Sequence, residues 1–184
     1  MAELLVLSDE HPFKTCAIRT HGVIGTNDNN IIPLLVSTPR HISLGAGKNQ
    51  FDFTGADNVA LAHVLALENL LLSHEPSAHG RAFFVTDGRP LPMRDVQEMI
   101  WQEFDAGGAG GKPKYVIIPI RLVVAIFWLL SPFLTPSLSL DEIGDGTTIR
   151  SFDISQAKQI LGYIPKKPLE ESIRDAVNSY KQKK

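Results

Sequence analysis

Two short, largely apolar runs, Thr15-Cys-Ala-Ile18 and Arg81-Ala-Phe-Phe-Val-Thr86, stand on either side of a long helix-forming stretch, and this arrangement constrains the chain most. Runs that are apolar at consecutive positions suit parallel strands covered on both faces. Between them, Val59 to Leu72 is apolar on most of its faces, which predicts a well-buried helix capped by Asp57-Asn58. Strands that alternate with helices imply an α/β layer architecture. Yet only these two runs read as central parallel strands, and a sheet of two leaves open edges and bare faces. The sequence is therefore expected to be part of a larger α/β domain.

The rest of the chain fits that frame. Residues 2–8 are good helix formers, too few to stand alone, and read as the tail of a helix. Gly22 and Gly25 allow a tight path after the first strand, and Asn30 is placed to cap a helix over Ile31 to Val36. Short strands are expected at His41 to Leu44 and Tyr115 to Ile118, with a turn through Gly45 and Gly47. Helices are expected from Leu91 to Phe104, from Asp153 or Ser155 to Leu161-Gly162, and from Leu169 to Lys181. With 184 residues, 43% of them hydrophobic and 21% charged, the chain can bury a real core. A net charge of −2 without a basic stripe argues against a nucleic-acid partner.

Motifs for other chemistries fail on their spacing. Gly45-Ala-Gly47-Lys-Asn-Gln50 has glutamine where a dinucleotide fingerprint needs its third glycine, and Gly111-Lys112 is followed by proline. The six histidines show no zinc-ligand spacing, and His63 reads as a satisfied core histidine. Cys16, the only cysteine, reads as a small buried hydrophobe in a strand.

Four blocks in order carry a resemblance. They are Thr15-Cys-Ala-Ile-Arg19 through Gly25, Phe51-Asp-Phe-Thr-Gly-Ala-Asp-Asn-Val-Ala-Leu-Ala-His-Val-Leu-Ala66, Gly80-Arg-Ala-Phe-Phe-Val-Thr-Asp-Gly88 and Asp153-Ile-Ser-Gln-Ala-Lys-Gln-Ile-Leu-Gly-Tyr-Ile-Pro165. The chain resembles the extended short-chain dehydrogenase/reductases, in the 3β-hydroxysteroid dehydrogenase branch that includes the sterol-4α-carboxylate 3-dehydrogenases. The resemblance implies the C-terminal part of an extended Rossmann fold, one incomplete domain without the dinucleotide-binding half. Residues 1–30 and 55–90 would be remnants of its sheet, and 31–54 and 91–184 its substrate-binding lobe.

The resemblance further implies NAD or NADP as cofactor and oxidation of a sterol or steroid 3β-hydroxyl, with loss of a C4 carboxylate as carbon dioxide. By position, Thr20, His21, Gly22 and Val23 would line the nicotinamide end of the cofactor, although the family usually has proline at the positions of Thr20 and Thr26. Ile31, Ile32, Leu34, Leu35 and Phe127 are the substrate-side candidates. The family's Tyr-x-x-x-Lys pair is matched only by Tyr163 to Lys167, which contains Pro165, and by Tyr180 to Lys184. Both matches read as coincidence, so no catalytic residue is assigned, and the isolated chain is expected to be inactive.

Val116 to Leu134 is the most hydrophobic stretch, but its unbroken part, Leu122 to Leu130, is far shorter than the roughly 20 residues of a membrane span. Surface contact of 122–134 with membrane is the expectation, at the cytosolic side of the endoplasmic reticulum, with a cytoplasmic protein as the alternative. The expected partners are the missing half or a second copy. A non-catalytic lipid- or partner-binding remnant and a sugar-nucleotide epimerase-like enzyme are the alternative functions.

Overall fold

The computed structural model describes residues 2–8, 12–45, 47–72, 75–105, 115–119, 121–122 and 148–183. Helix α1 (Ala2–Val6) leads to strand β1 (Cys16–Thr20). Strand β6 (Arg81–Val85) lies parallel to β1, with Cys16 opposite Arg81, Ile18 opposite Phe83 and Thr20 opposite Val85. Helix α3 (Ala56–Leu72) makes the crossover between them. Among the described residues β1 pairs only with β6, so its outer edge is open.

Three further strand pairs flank this unit. Strand β2 (Val23–Ile24) runs parallel to β5 (Thr54–Gly55). Strand β3 (Ile42–Leu44) runs parallel to β8 (Val116–Ile118). Strand β4 (Gln50–Phe51) is antiparallel to β7 (Leu91–Pro92). Helices α2 (Ile31–Ser37), α4 (Met93–Phe104), α5 (Ser155–Leu161) and α6 (Leu169–Gln182) complete the described fold. The expected start of α4 at Leu91 moves to Met93, because Leu91 and Pro92 are taken up by pairing with β4.

Two clusters form the core. Ile24, Ile32, Leu35, Phe53, Val96, Ile100, Ile173 and Val177 join α2, α4 and α6. Ala62, Ala66, Phe83, Val85, Ile154, Ala157, Leu161 and Tyr163 press α3 and α5 onto the β1–β6 pair.

Helix α3 departs from its expected burial. Its buried face carries Asn58, Ala62, Ala66 and Asn69, small or polar residues that let it lie close to its neighbours. Leu65 and Leu70 pack partly buried against the core, while Val64, Leu67 and Leu71 point away, each more than half exposed. His63 is likewise exposed, its Nδ1 near the Val59 carbonyl at 2.8 Å, and it is not a core histidine.

Caps also move. Asp57 and Asn58 lie inside α3, beyond its first residue. At α2, Asn30 makes no cap bond; Asp28 Oδ1 accepts from the amides of Asn30 and Ile31 at 2.7 and 2.9 Å. Asp153 does serve α5, accepting from the Ser155 amide at 2.9 Å, and Gly162 ends that helix in the left-handed region.

Candidate functional site

Ligands of open parallel sheets collect at the carboxyl ends of the strands, and β1 ends at Thr20. The chain then turns sharply at Gly22, whose φ is +54°. A Cβ there would stand 2.8 Å from the Phe53 ring and 3.0 Å from the Asp52 carbonyl, so only glycine fits. Segment 52–54 grips this loop from one side. The Thr54 amide donates to the Gly22 carbonyl at 3.2 Å, and the Thr54 hydroxyl donates to the His21 carbonyl at 2.8 Å.

His21 is held in one orientation. Its Nδ1 lies 2.9 Å from the Asp52 carbonyl, which can only accept, so Nδ1 carries the hydrogen. The ring sits against Phe51 at 4.5 Å and Phe152 at 5.2 Å between centroids. Phe152 in turn stacks on Phe84 at 4.6 Å, and the Arg19 guanidinium covers the Phe84 ring at 5.2 Å. Arg19 is ion-paired with Glu3 of α1.

Asp52 joins the loop to the returning chain. Its amide donates to the Arg150 carbonyl at 2.8 Å, and its Oδ2 accepts from the Phe152 amide at 2.7 Å. The side chain is only 1% exposed, and among the described residues no donor meets Oδ1 in hydrogen-bond geometry. Burial pushes this carboxyl above the usual aspartate range; the Phe152 amide, the His21 ring and the nearby Thr86 hydroxyl pull the other way.

A second acid lies past the end of β6. Asp87 accepts from the Gly55 amide at 3.2 Å and from Asn58 Nδ2 at 2.8 Å, yet burial still pushes its carboxyl up. Asn58 Nδ2 also donates to the Lys167 carbonyl at 2.8 Å, and its Oδ1 accepts from the amides of Lys166 and Lys167 at 3.0 and 3.1 Å. Beyond Asp87 opens a cavity of about 230 Å³, with Arg89 and Glu170 paired at its wall.

The candidates from the sequence fall into two groups. Thr20 and Val23 are exposed beside the loop, while His21 and Gly22 are half-buried in it. Ile32 and Leu35 spend their side chains in the core, Ile31 packs against it, and Leu34 is 61% exposed. Phe127 lies outside the described residues, as does nearly all of 116–134 beyond β8. Tyr163 is fully buried and donates to the Thr86 carbonyl at 3.1 Å, while Lys167 is bound by Asp57 and Asp175 at 2.5 and 2.6 Å. Those two side chains do not meet as a proton-relay pair. Among the described residues no group of His, Cys, Asp or Glu is arranged to hold a metal. Asp52, Thr54 and Phe152 were not singled out from the sequence, and Asn58 was read only as a helix cap; an acid between two phenylalanines, Phe51-Asp52-Phe53, is the signal that points to one of them.

Residues 1–110 match the family model of the 3-beta hydroxysteroid dehydrogenase/isomerase family. The chain belongs to this family. It is 34% identical to a decarboxylating sterol-4-alpha-carboxylate 3-dehydrogenase of Schizosaccharomyces pombe, over 95% of this chain and 53% of that protein. It is 32% identical to a 3beta-hydroxysteroid-dehydrogenase/decarboxylase of Arabidopsis thaliana, over 90% of this chain and 31% of that protein. Thus the chain spans about half the length, or less, of these relatives.

Among solved structures, a UDP-glucose 4-epimerase of Thermotoga maritima superposes with a TM-score of 0.62 at 19% identity, covering 95% of this chain and 48% of its own. The RMD protein of Pseudomonas aeruginosa, solved with NADPH, gives 0.60 at 16% identity, covering 98% and 53%. At such identities these two show the α/β fold alone. The loop at 20–23 follows the end of β1, and Asp87 follows the end of β6, the strand ends at which open parallel sheets generally bind ligands.

Proposed function

We propose that this chain is the substrate- and nicotinamide-facing part of an NAD(P)-dependent sterol 3β-dehydrogenase that also removes a C4 carboxylate. The observation that carries this reading is the 34% identity to a sterol-4-alpha-carboxylate 3-dehydrogenase across 95% of the chain. The geometry supports it, because β1 delivers an exposed Thr20, a fixed His21 and an exposed Val23 to the ligand end of a parallel strand. Gly22 itself is required by its packing on Phe53 and not by a ligand, so Thr20 and Val23 are the residues that fit beside a nicotinamide ring.

Bound there, the nicotinamide would accept the hydride from the sterol C3. This chain's residues would bind and orient. The Tyr163 hydroxyl and Lys167 amine are spent in structural bonds, so the proton relay of the assembled enzyme belongs to other groups. The 1–30 and 55–90 stretches would supply sheet, and 31–54 and 91–184 the sterol lobe, with Leu34 its exposed apolar residue on α2. Contact of 122–134 with the endoplasmic reticulum surface is part of the same reading; no helix among the described residues is long and apolar enough to cross a membrane.

The test is incubation of the protein in its longest native form with a 4α-carboxysterol and NAD or NADP, following 3-ketosterol and carbon dioxide by mass spectrometry. Reduction of cofactor with loss of carbon dioxide supports the proposal. Epimerisation or oxidation of a UDP-sugar, with no turnover of the sterol, would overturn it. The arginines argue against that outcome: Arg94 is buried and bonded to the Arg40 carbonyl at 2.7 Å, while Arg40 and Arg89 are ion-paired. A second reading, a partner-binding remnant, is favoured by one observation, the exposed Val64, Leu67 and Leu71 on α3.

A further inference from the structure

We infer that His21 is a specificity-determining residue that recognises an anionic group on the substrate, a ring carboxylate, through its Nε2. The inference rests on the sterol reading above and names the chemistry of one contact in it.

Three observations converge on this ring. First, the hydrogen on Nδ1 is fixed by the Asp52 carbonyl, which leaves Nε2 as the nitrogen that changes role. Neutral, Nε2 accepts; protonated, it donates. Among the described residues no hydrogen-bond partner meets it, although the ring is only half-exposed and its faces are taken by Phe51 and Phe152. Second, the buried Asp52 carboxyl interacts electrostatically with the ring, and among the described residues no donor meets its Oδ1 while Oδ2 takes the Phe152 amide, so positive charge on the imidazole would favour the ionised acid. Third, the neighbouring cation is already committed, since Arg19 pairs with Glu3. The other nearby acid, Asp87, is held by Gly55 and Asn58.

A ligand carboxylate can accept but not donate. It therefore recruits a proton to Nε2 and forms a charge-assisted hydrogen bond, while a hydroxyl or methyl at the same place gains little. The phenylalanine walls supply the apolar surround that a steroid ring edge needs. No covalent step is assigned to His21; it binds and orients.

The experiment uses the protein in its longest native form, with NAD or NADP present and ¹⁵N-labelled histidine, titrated with a 4α-carboxy-3β-hydroxysteroid and with its 4α-methyl counterpart. The carboxylated steroid is expected to move the His21 ring nitrogens toward the imidazolium position and to bind about tenfold tighter than the methyl compound. The methyl compound should leave those resonances in place, and His21→Gln should bring the two affinities together without abolishing binding of the methyl steroid. Equal binding of both steroids, or tighter binding of the acid with unmoved His21 signals, overturns the assignment and leaves the sterol reading standing. If neither steroid binds, the sterol reading fails and the assignment fails with it. The wild-type resonances decide the matter even if the glutamine variant folds poorly.

Discussion

Replacing Asn58 with alanine removes four hydrogen bonds from a side chain that is 1% exposed. Two of its partners are main-chain amides, one is a main-chain carbonyl and one is the carboxylate of Asp87. A buried polar group left without its partner costs about 1–3 kcal/mol. Lys166 is exposed and Lys167 partly so, and water can reach their amides once the side chain is gone. The loss for Asn58→Ala is therefore expected at about 3–5 kcal/mol, a large share of the about 5–15 kcal/mol that stabilises a domain. Urea unfolding at pH 7, followed by far-ultraviolet circular dichroism, measures it. Asn58→Asp sharpens the test, because it keeps both acceptors, loses both donors and sets a second carboxylate against Asp87. Its penalty should shrink as pH falls through the carboxylate range and one acid takes up a proton. A loss below about 1 kcal/mol for the alanine variant, or a pH-independent penalty for the aspartate variant, would refute the reasoning.

Other outcomes follow from the same geometry. The Asp52 carboxyl is held above its unfolded value by burial, so the folded chain binds that proton more tightly. That contribution to stability is complete below the ordinary aspartate value of about 4 and is lost as pH rises through the folded-state value. Asp52→Asn should flatten this fall in a series of urea titrations from pH 3 to 7; an unchanged slope would count against the buried charge. Gly25→Ala places a Cβ 2.5 Å from that of Ala56 and should cost about 1–3 kcal/mol by thermal unfolding. Tyr163→Phe should cost about 1 kcal/mol for its one bond to Thr86 and leave turnover of the assembled enzyme unchanged. A collapse of turnover would show the hydroxyl to be part of the proton path.

What could be read from residue order was the local part. The runs at 15–18 and 81–86 became the paired strands 16–20 and 81–85, although β1, on the open edge, has no buried residue and Cys16 is only half-buried. Asp153, one of the two residues expected to start α5, was legible as a cap because its partner Ser155 is close in sequence. Helix α3 misled because its buried face is built from alanine and asparagine, while hydropathy counts the leucines that point outward. The candidate site was legible as a loop, from Gly22 and its place after a strand. Its mechanics were not, since Asp52 works through Phe152 and Asn58 through Lys166 and Lys167, partners about a hundred residues away that no local pattern indicates.

The packing of α6 has a consequence for synthesis. Its Ile173 and Val177 share a core with Ile24, Ile32 and Leu35, and Ser179 accepts from the Asn27 amide at 3.1 Å. As the chain leaves the ribosome, α2 and α4 emerge with their inner faces bare and stay so until residue 177 is free of the exit tunnel. Contacts that reach so far along the sequence form late. Nascent chains halted before α6 should therefore be the species that chaperones hold, and a ribosome slowed within 150–180 would lengthen that exposure.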